Sequence, residues 1–288
     1  MTKRVADLRL DTFFGYLGSH MWSDLPKTEQ SYLLRGVGVA LAIVLGFSAF
    51  WSSSMSPAAL DRTAAQAAAG DVDGAVDAYL TQANGLSSVD RRGEALWRAS
   101  VLTHVALSAP DDAVGLLEQL IERFPDHPRV VDAHARIAMI QRHHDGDAVR
   151  AGMRWVAAAS IDPSHVDAGR WMLDAGLAFA DAGDFDSALR ALRVASTRTE
   201  QAVAAHLAQG RIHLQRDPAQ AYSDYDAAFR AGADQEAQRL AQLGMATALE
   251  YLDRRDAALA ELDEALEDGD ADAALERRRE RLRARRAQ

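Results

Sequence analysis

The chain has 288 residues, a formal net charge of −10 and 48% hydrophobic residues, a composition that predicts a folded protein and not a disordered one. Cysteine is absent, which excludes disulfides, thiolate metal sites, a catalytic thiol and a lipid-modified N-terminal cysteine. Outside an N-terminal stretch, residues 1–35, and an arginine-rich tail, residues 276–288, the chain is strongly acidic, so nucleic acid is not expected as a partner.

Residues 1–31 are predicted to form a cytoplasmic lead. Between Phe13 and Trp22 this lead is crowded with aromatic and apolar side chains. Such a stretch either lies on the membrane surface or docks on a partner. A plain hydrophobic approach to the segment that follows is the alternative.

Residues 32–55 are predicted to form a transmembrane helix. No charged residue occurs from Gly36 to Leu60, and about 20 apolar residues suffice to cross the hydrocarbon core at about 1.5 Å per residue. Tyr32 and Trp51 would lie at the two interfaces. A cleaved signal peptide fits less well because the apolar run begins about 35 residues into the chain, and a buried soluble helix is the other alternative.

The basic residues around this segment predict its orientation. Five of them lie within residues 1–35, whereas only Arg62 follows the span closely. The positive-inside bias then keeps the N-terminus in the cytoplasm and exports the rest, which in a bacterium means a single-pass inner-membrane protein with a periplasmic domain. Gly38, Ala42 and Gly46 form a stripe that either packs against another helix or reflects the ordinary glycine and alanine content of such helices.

A short phrase recurs six times after the span, at intervals of 33 to 40 residues, and is clearest in residues 183–189. This period is the signature of a helical solenoid, whose units bury their apolar faces by stacking. In the fourth unit, Gly183 and Asp184 are expected to end one helix and cap the next, and Gly176 and Ala188 should let the two helices approach closely. Each copy places an alanine in the same slot: Ala75, Ala113, Ala148, Ala188, Ala221 and Ala258.

The second unit carries a family resemblance, since Trp97, Ala113 and Pro125 occupy the early aromatic, second-helix alanine and terminal proline positions of the tetratricopeptide repeat. The chain resembles that family over roughly residues 57–268, although only the second helix of the first unit is recognisable. The expected fold is all-α: a right-handed α-solenoid of about six tetratricopeptide-like helix pairs, preceded by a single transmembrane helix. Residues 269–288 are predicted to form a charged capping helix or tail, whose arginines either stay in solvent or contact anionic lipid or an acidic partner.

The concave face lined by the first helix of each pair is the expected binding groove. Trp97, Trp155 and Trp171 are predicted to be core residues. No nucleotide-binding loop, nucleophile elbow or zinc-protease motif is present. The adjacent His143, His144 and Asp145 would point apart on a helix, and spacing places no third ligand beside any two histidines. The sequence therefore predicts no enzyme, cofactor, metal site or small-molecule substrate. The candidate groove residues are Arg98, His104, His134, Arg136, Arg170, Asp174, His206 and Arg211.

A short lead, one anchor and an exported repeat array together resemble the ancillary subunit of the bacterial Sec translocon and its periplasmic chaperone-associated relatives, although this chain is longer in its lead and repeat count. The resemblance implies a membrane-anchored periplasmic scaffold or adaptor that assists protein translocation, chaperoning or envelope assembly. Its partners would be other proteins and membrane lipid. The alternative is a permanent structural subunit of a membrane complex for secretion, motility or respiration.

Overall fold

The computed structural model of the chain describes residues 58–232, 234–267 and 273–286. The predicted lead (residues 1–31) and the predicted span (residues 32–55), including Gly38, Ala42 and Gly46, lie outside these ranges. None of the helices within them is both long enough and apolar enough to cross a membrane.

In the described ranges all regular structure is helical, which confirms the all-α prediction. The helices form six consecutive pairs and one further helix, and we call the two members of each pair its first and second helix. The pairs are α1 (Ala58–Ala68) with α2 (Val72–Gly85), α3 (Val89–Val105) with α4 (Pro110–Arg123), and α5 (Arg129–Ile140) with α6 (Ala148–Ile161). They continue as α7 (Ala168–Asp181) with α8 (Phe185–Ala195), α9 (Ala202–His213) with α10 (Pro218–Ala231), and α11 (Gln235–Tyr251) with α12 (Arg255–Glu267), followed by α13 (Ala273–Arg286).

The helices pack in chain order. From α2 to α13 every helix contacts the next one along the chain. The first helices also contact each other across neighbouring pairs, as seen for α3 with α5, α7 with α9, and α9 with α11. This pattern is that of a stacked helix-pair array, in which each unit buries its apolar face against its neighbours.

In three of the six pairs, the turn between the two helices is built from a glycine followed by a capping aspartate. Gly183 has a φ of 79°, a left-handed conformation that favours glycine, and the Asp184 carboxylate accepts the backbone N–H of Ser187 at 3.1 Å. These observations confirm the predicted break at this point. The same arrangement recurs at residues 70–71 and 146–147, where the glycines have φ values of 96° and 68°.

The repeated alanine follows the N-terminal cap of each second helix by four residues. Five of the six predicted alanines are fully buried, but the assignment of Ala148 was wrong. Ala148 is the first residue of α6 and is half-buried, whereas Ala151 is fully buried and donates its N–H to the Asp147 carbonyl at 3.0 Å. A π-helical turn at Gln141–Asp145 prolongs α5 and moves the start of α6 along the chain.

The apolar core runs between the first and second helices in several adjoining clusters. Trp155 and Trp171 are each only 7% exposed and belong to one of these clusters, as predicted. Trp97 differs because it is only partly buried, with its ring packed on the edge of another cluster.

The charged helix α13 covers the last pair with one face. Leu282 is buried with Leu249 and Leu262, and Arg278 donates to the Glu250 carboxylate at 2.7 Å and to the Thr247 hydroxyl at 2.8 Å. Arg277 and Arg281 are exposed on the same helix.

Candidate protein-binding face

The eight candidate groove residues all lie on first helices, where Arg170 and Arg211 are exposed and the other six are partly buried. They are distributed over four consecutive pairs: Arg98 and His104 on α3, His134 and Arg136 on α5, Arg170 and Asp174 on α7, and His206 and Arg211 on α9.

Two arginines, the candidate Arg136 and Arg129, lie over one aromatic ring at the contact between α3 and α5. Arg129 and Arg136 lie two turns apart on α5, and their guanidinium carbons are 5.3 and 5.7 Å from the centroid of the Trp97 ring. Guanidinium groups at this distance are attracted to the electron-rich face of an indole. We call the following set the Trp97 cluster: Glu94, Trp97, Arg98, His104, Arg129 and Arg136.

Two arginines of the Trp97 cluster are neutralised within the protein. One Glu94 oxygen is 2.8 Å from Arg98 Nε and the other is 3.2 Å from Arg129 Nε. Asp132 forms a second ion pair with Arg129 at 2.9 Å. The carboxylates at this contact are therefore already shared between Arg98 and Arg129.

Arg136 has no such partner among the described residues. Its Nη2 lies 3.4 Å from His104 Nδ1, and its Nε is buried without a hydrogen-bond partner there. Burial lowers the pKa of the Arg136 guanidinium, because a desolvated cation without a counter-charge is unfavourable. A partly buried guanidinium of this kind is suited to receive an anion.

His104 lies next to Arg136 in the Trp97 cluster. Burial lowers the pKa of His104, and the neighbouring Arg136 and His144 lower it further. The lowered pKa favours the neutral ring, in which one nitrogen can accept a hydrogen bond.

His134 does not join the Trp97 cluster. Its Nδ1 lies 3.4 Å from Arg154 Nη1 on α6, and Arg154 in turn pairs with Glu118 on α4 at 2.7 Å. Burial and the Arg154 charge lower the pKa of His134. His134 thus contacts the second helix α6, although the sequence grouped this histidine with Arg136.

The ion pair of Arg170 with Asp174 and the hydrogen bond of His206 each lie within a single helix. Arg170 is 3.8 Å from Asp174 on α7, and burial raises the pKa of the Asp174 carboxyl. His206 is 3.1 Å from Gln209 on α9, and Arg211 is exposed.

Sequence reasoning missed Glu94 and Arg129, which complete the Trp97 cluster. The seven-residue spacing of Arg129 and Arg136 and the four-residue spacing of Glu94 and Arg98 are helical signals for shared faces. Neither spacing shows that the two faces meet.

Two histidines in the turns between pairs have a structural role that the sequence did not reveal. His127 Nδ1 accepts the Arg129 N–H and His165 Nδ1 accepts the Asp167 N–H, both at 3.1 Å. The His165 ring also stacks on Trp171 with its centroid at 4.6 Å. These side chains therefore stabilise the starts of α5 and α7, the helices that carry Arg136 and Arg170.

Asp111 adds the third potential metal ligand that spacing could not supply to His144 and Asp145. The ligand atoms of these three side chains lie within 4.8 Å of one another, and all three residues are exposed. Structural metal sites in proteins usually have four ligands and a closed geometry. An exposed group of three is a weak basis for one.

Comparison with solved structures finds helical proteins at low identity. YrrB, described as a TPR protein with an unusual peptide-binding site, is 15% identical, with a TM-score of 0.49 over 63% of this chain and 88% of that one. Pseudomonas aeruginosa pilF is 20% identical, with a TM-score of 0.44 over 64% of this chain and 79% of that one. TTC0263, a thermophilic TPR protein of Thermus thermophilus, is 21% identical, with a TM-score of 0.37 over 66% of this chain and 98% of that one.

No protein-family model matches the chain, and no curated protein matches it either. At such TM-scores the likeness to YrrB, pilF and TTC0263 assigns neither ligand nor partner. The helix-pair array is therefore assigned from its own packing, with the TPR proteins as the structures that it resembles.

Proposed function

We propose that this protein is a scaffold that holds a polypeptide segment of a partner along the face formed by its first helices. The observation that carries the proposal is the Trp97 cluster. It combines an incompletely buried indole with two flanking guanidinium groups on a stacked array that offers an extended surface. Aromatic and arginine side chains are the residue types that dominate binding energy at protein interfaces.

The proposal includes membrane anchorage through residues 32–55, with the repeat array in the periplasm of a bacterium. The uncharged run from Gly36 to Leu60 and the basic residues that precede it support this topology. The exposed Arg277 and Arg281 of α13 are suited to contact anionic lipid. On this basis the scaffold would assist protein translocation, chaperoning or envelope assembly.

A single introduced cysteine tests this topology, because the chain has none of its own. Val166 is 87% exposed, so we expect Val166→Cys to react with a membrane-impermeant maleimide in spheroplasts with an intact inner membrane. A cysteine placed at Thr2 should react only after lysis. Labelling of position 166 only after lysis would contradict the periplasmic assignment.

Site-specific photocrosslinking tests the binding face. We expect a photoreactive residue at Arg170, an exposed position on first helix α7, to form defined adducts with partner polypeptides in growing cells. Met153 is 59% exposed on second helix α6 and provides the matched control. Adducts that form equally at positions 170 and 153, or at 153 alone, would refute a binding face on the first helices.

A permanent structural subunit is the second candidate, and the Gly38, Ala42 and Gly46 stripe favours it. Small residues at four-residue spacing allow close packing of helices in lipid. Mild detergent should extract a permanent subunit in fixed stoichiometry with its neighbours. A photoreactive residue at position 46 should then form adducts with the same neighbouring protein in every experiment. An adaptor should be extracted alone or with varied clients.

A further inference from the structure

We propose that Asn84 is a site of covalent self-modification, at which the side chain loses its amide nitrogen as ammonia with the help of Arg123. The side chain is thereby converted to the carboxylate of aspartate or to isoaspartate. This inference does not depend on the scaffold function. It rests on the residue that follows Asn84 and on the contact that Arg123 makes with its side chain.

Asn84 is the only asparagine in the sequence, and a glycine follows it. Because glycine has no Cβ and adopts conformations that other residues avoid, its backbone nitrogen can approach the carbonyl carbon of the preceding side chain. Asn84 and Gly85 are both exposed, and a Cβ added at Gly85 would meet nothing within 4 Å. The approach is therefore open on that side, and water reaches both residues.

The Asn84–Gly85 pair lies at the end of α2, where a change of backbone conformation costs least. Gly85 is the last residue of α2, and the Leu86 N–H closes the final turn by donating to the Gln82 carbonyl at 3.0 Å. Leu86 itself is already extended, with a φ of −71° and a ψ of 144°. Terminal helical turns open far more easily than helix interiors, and opening this one turn frees the Gly85 nitrogen to attack.

Arg123, the last residue of α4, supplies a cationic donor to the reacting group. Its Nη2 donates to Asn84 Oδ1 at 3.0 Å and to the Ala83 carbonyl at 3.5 Å, and its guanidinium carbon lies 5.4 Å from the centroid of the Phe124 ring. Negative charge develops on Oδ1 when the Gly85 nitrogen attacks. A donor already placed at that oxygen therefore stabilises the transition state more than the neutral amide.

The reaction consumes only water. The Gly85 nitrogen forms a bond to Asn84 Cγ, its proton passes to the leaving amino group, and the Cγ–Nδ2 bond breaks to release ammonia and leave a five-membered succinimide. Water then opens the ring. Cleavage of the new bond to Cγ gives aspartate, and cleavage of the bond to the main-chain carbonyl carbon gives isoaspartate.

Both products change the contact between α2 and α4. The aspartate carboxylate replaces the neutral amide oxygen at Arg123 and turns this hydrogen bond into a charge-assisted one. Isoaspartate instead adds a methylene group to the main chain at the end of α2, just before the turn that leads to α3. The modification therefore alters the contact between the first and second pairs.

Mass spectrometry of aged protein tests the proposal. The full chain, purified in detergent, would be incubated at neutral and at mildly alkaline pH and then digested with trypsin, which cleaves after Arg62 and Arg91 and releases residues 63–91 as one peptide. We expect fragment ions to locate the mass gain of an amide-to-acid exchange at Asn84, sooner at the higher pH because the attacking nitrogen must lose its proton. An unchanged protein, under conditions in which the synthetic 63–91 peptide reacts, would overturn the proposal.

Substitutions separate the role of Arg123 from that of the Asn–Gly pair. Arg123→Gln should slow the reaction by about threefold to tenfold, up to the worth of one charge-assisted hydrogen bond, and Arg123→Lys should slow it less because the charge is kept. Gly85→Ala should also slow it. Arg193→Gln is the matched control, since Arg193 is an exposed arginine in the last turn of another second helix, α8, and its rate should equal that of the wild type.

An Arg123→Gln protein that reacts as fast as the wild type, or faster, would refute assistance by Arg123. If Arg123→Gln fails to give the wild-type circular dichroism spectrum, the comparison of Arg123→Lys with the wild type decides the question in the same way.

Urea denaturation tests the expected product contact. Asn84→Asp should leave the unfolding midpoint of the wild type unchanged or raised, and should lower the midpoint in the Arg123→Gln background, where a carboxylate at the C-terminus of α2 opposes the helix dipole without a cation beside it. An equal effect of Asn84→Asp in both backgrounds would show that the product does not pair with Arg123.

Discussion

Leu192→Ala is expected to lower the free energy of unfolding by about 2–5 kcal/mol, the cost of emptying a large volume in a rigid core. Leu192 on α8 is fully buried in the largest apolar cluster. It also lies directly against Gly176 on α7, where an added Cβ would stand 2.5 Å from Leu192 Cγ. Truncation therefore removes the side chain that fills the contact between the two helices of the fourth pair.

The same contact predicts strong coupling between the two positions. Gly176→Ala alone should destabilise the protein, because its methyl group overlaps the leucine. In the Leu192→Ala background that overlap is gone, and the added methyl group partly fills the cavity. We expect the two changes to be non-additive by about 1 kcal/mol or more.

Chemical denaturation followed by circular dichroism measures all four proteins of this cycle. Val194→Ala is the control, since Val194 is 46% exposed on the same helix and its truncation should change stability by about 0.5 kcal/mol or less. Additive effects of Gly176→Ala and Leu192→Ala would show that the two residues do not share the contact described.

Gly244→Ala is expected to destabilise the protein by about 1–3 kcal/mol, although alanine is the better helix former. A Cβ at Gly244 on α11 would overlap the Tyr225 ring of α10, and a Cβ at Gly210 on α9 would stand 2.8 Å from the same ring. Tyr225 is thus accommodated by glycines on two successive first helices. Overpacking here forces the ring out of its position between the fifth and sixth pairs.

Gly115→Ala supplies the matched control for Gly244→Ala. Gly115 lies inside α4, and a Cβ there meets nothing within 4 Å. This substitution should raise the melting temperature, because it lowers the conformational entropy of the unfolded chain at no steric cost. If both glycine-to-alanine changes were stabilising, the close approach of α11 to Tyr225 would be wrong.

Much of the helix-pair repeat could be predicted from local sequence patterns. Five of the six repeated alanines and the Gly183–Asp184 turn were predictable, because helix periodicity and capping are local properties of the chain. The third unit was misaligned by three residues, at Ala148 instead of Ala151, because the π-helical turn at Gln141–Asp145 has no sequence signature. The first helix of the first pair, α1, was missed because it lacks the motif residues.

On the proposed binding face, the contacts between helices could not be predicted from local sequence patterns. The eight candidates were placed on first helices from helical phase alone, and phase could not separate His134, which contacts α6, from Arg136, which contacts α3. The sequence by itself determined that the chain repeats helix pairs, where the fourth pair turns, and five of the six buried alanines, because these features depend on neighbours within a few residues. Only the tertiary structure decided that Glu94 and Asp132 neutralise Arg98 and Arg129 and leave Arg136 without a carboxylate among the described residues. Charge pairing acts between atoms a few ångströms apart, and Glu94 and Arg129 meet only when neighbouring pairs stack.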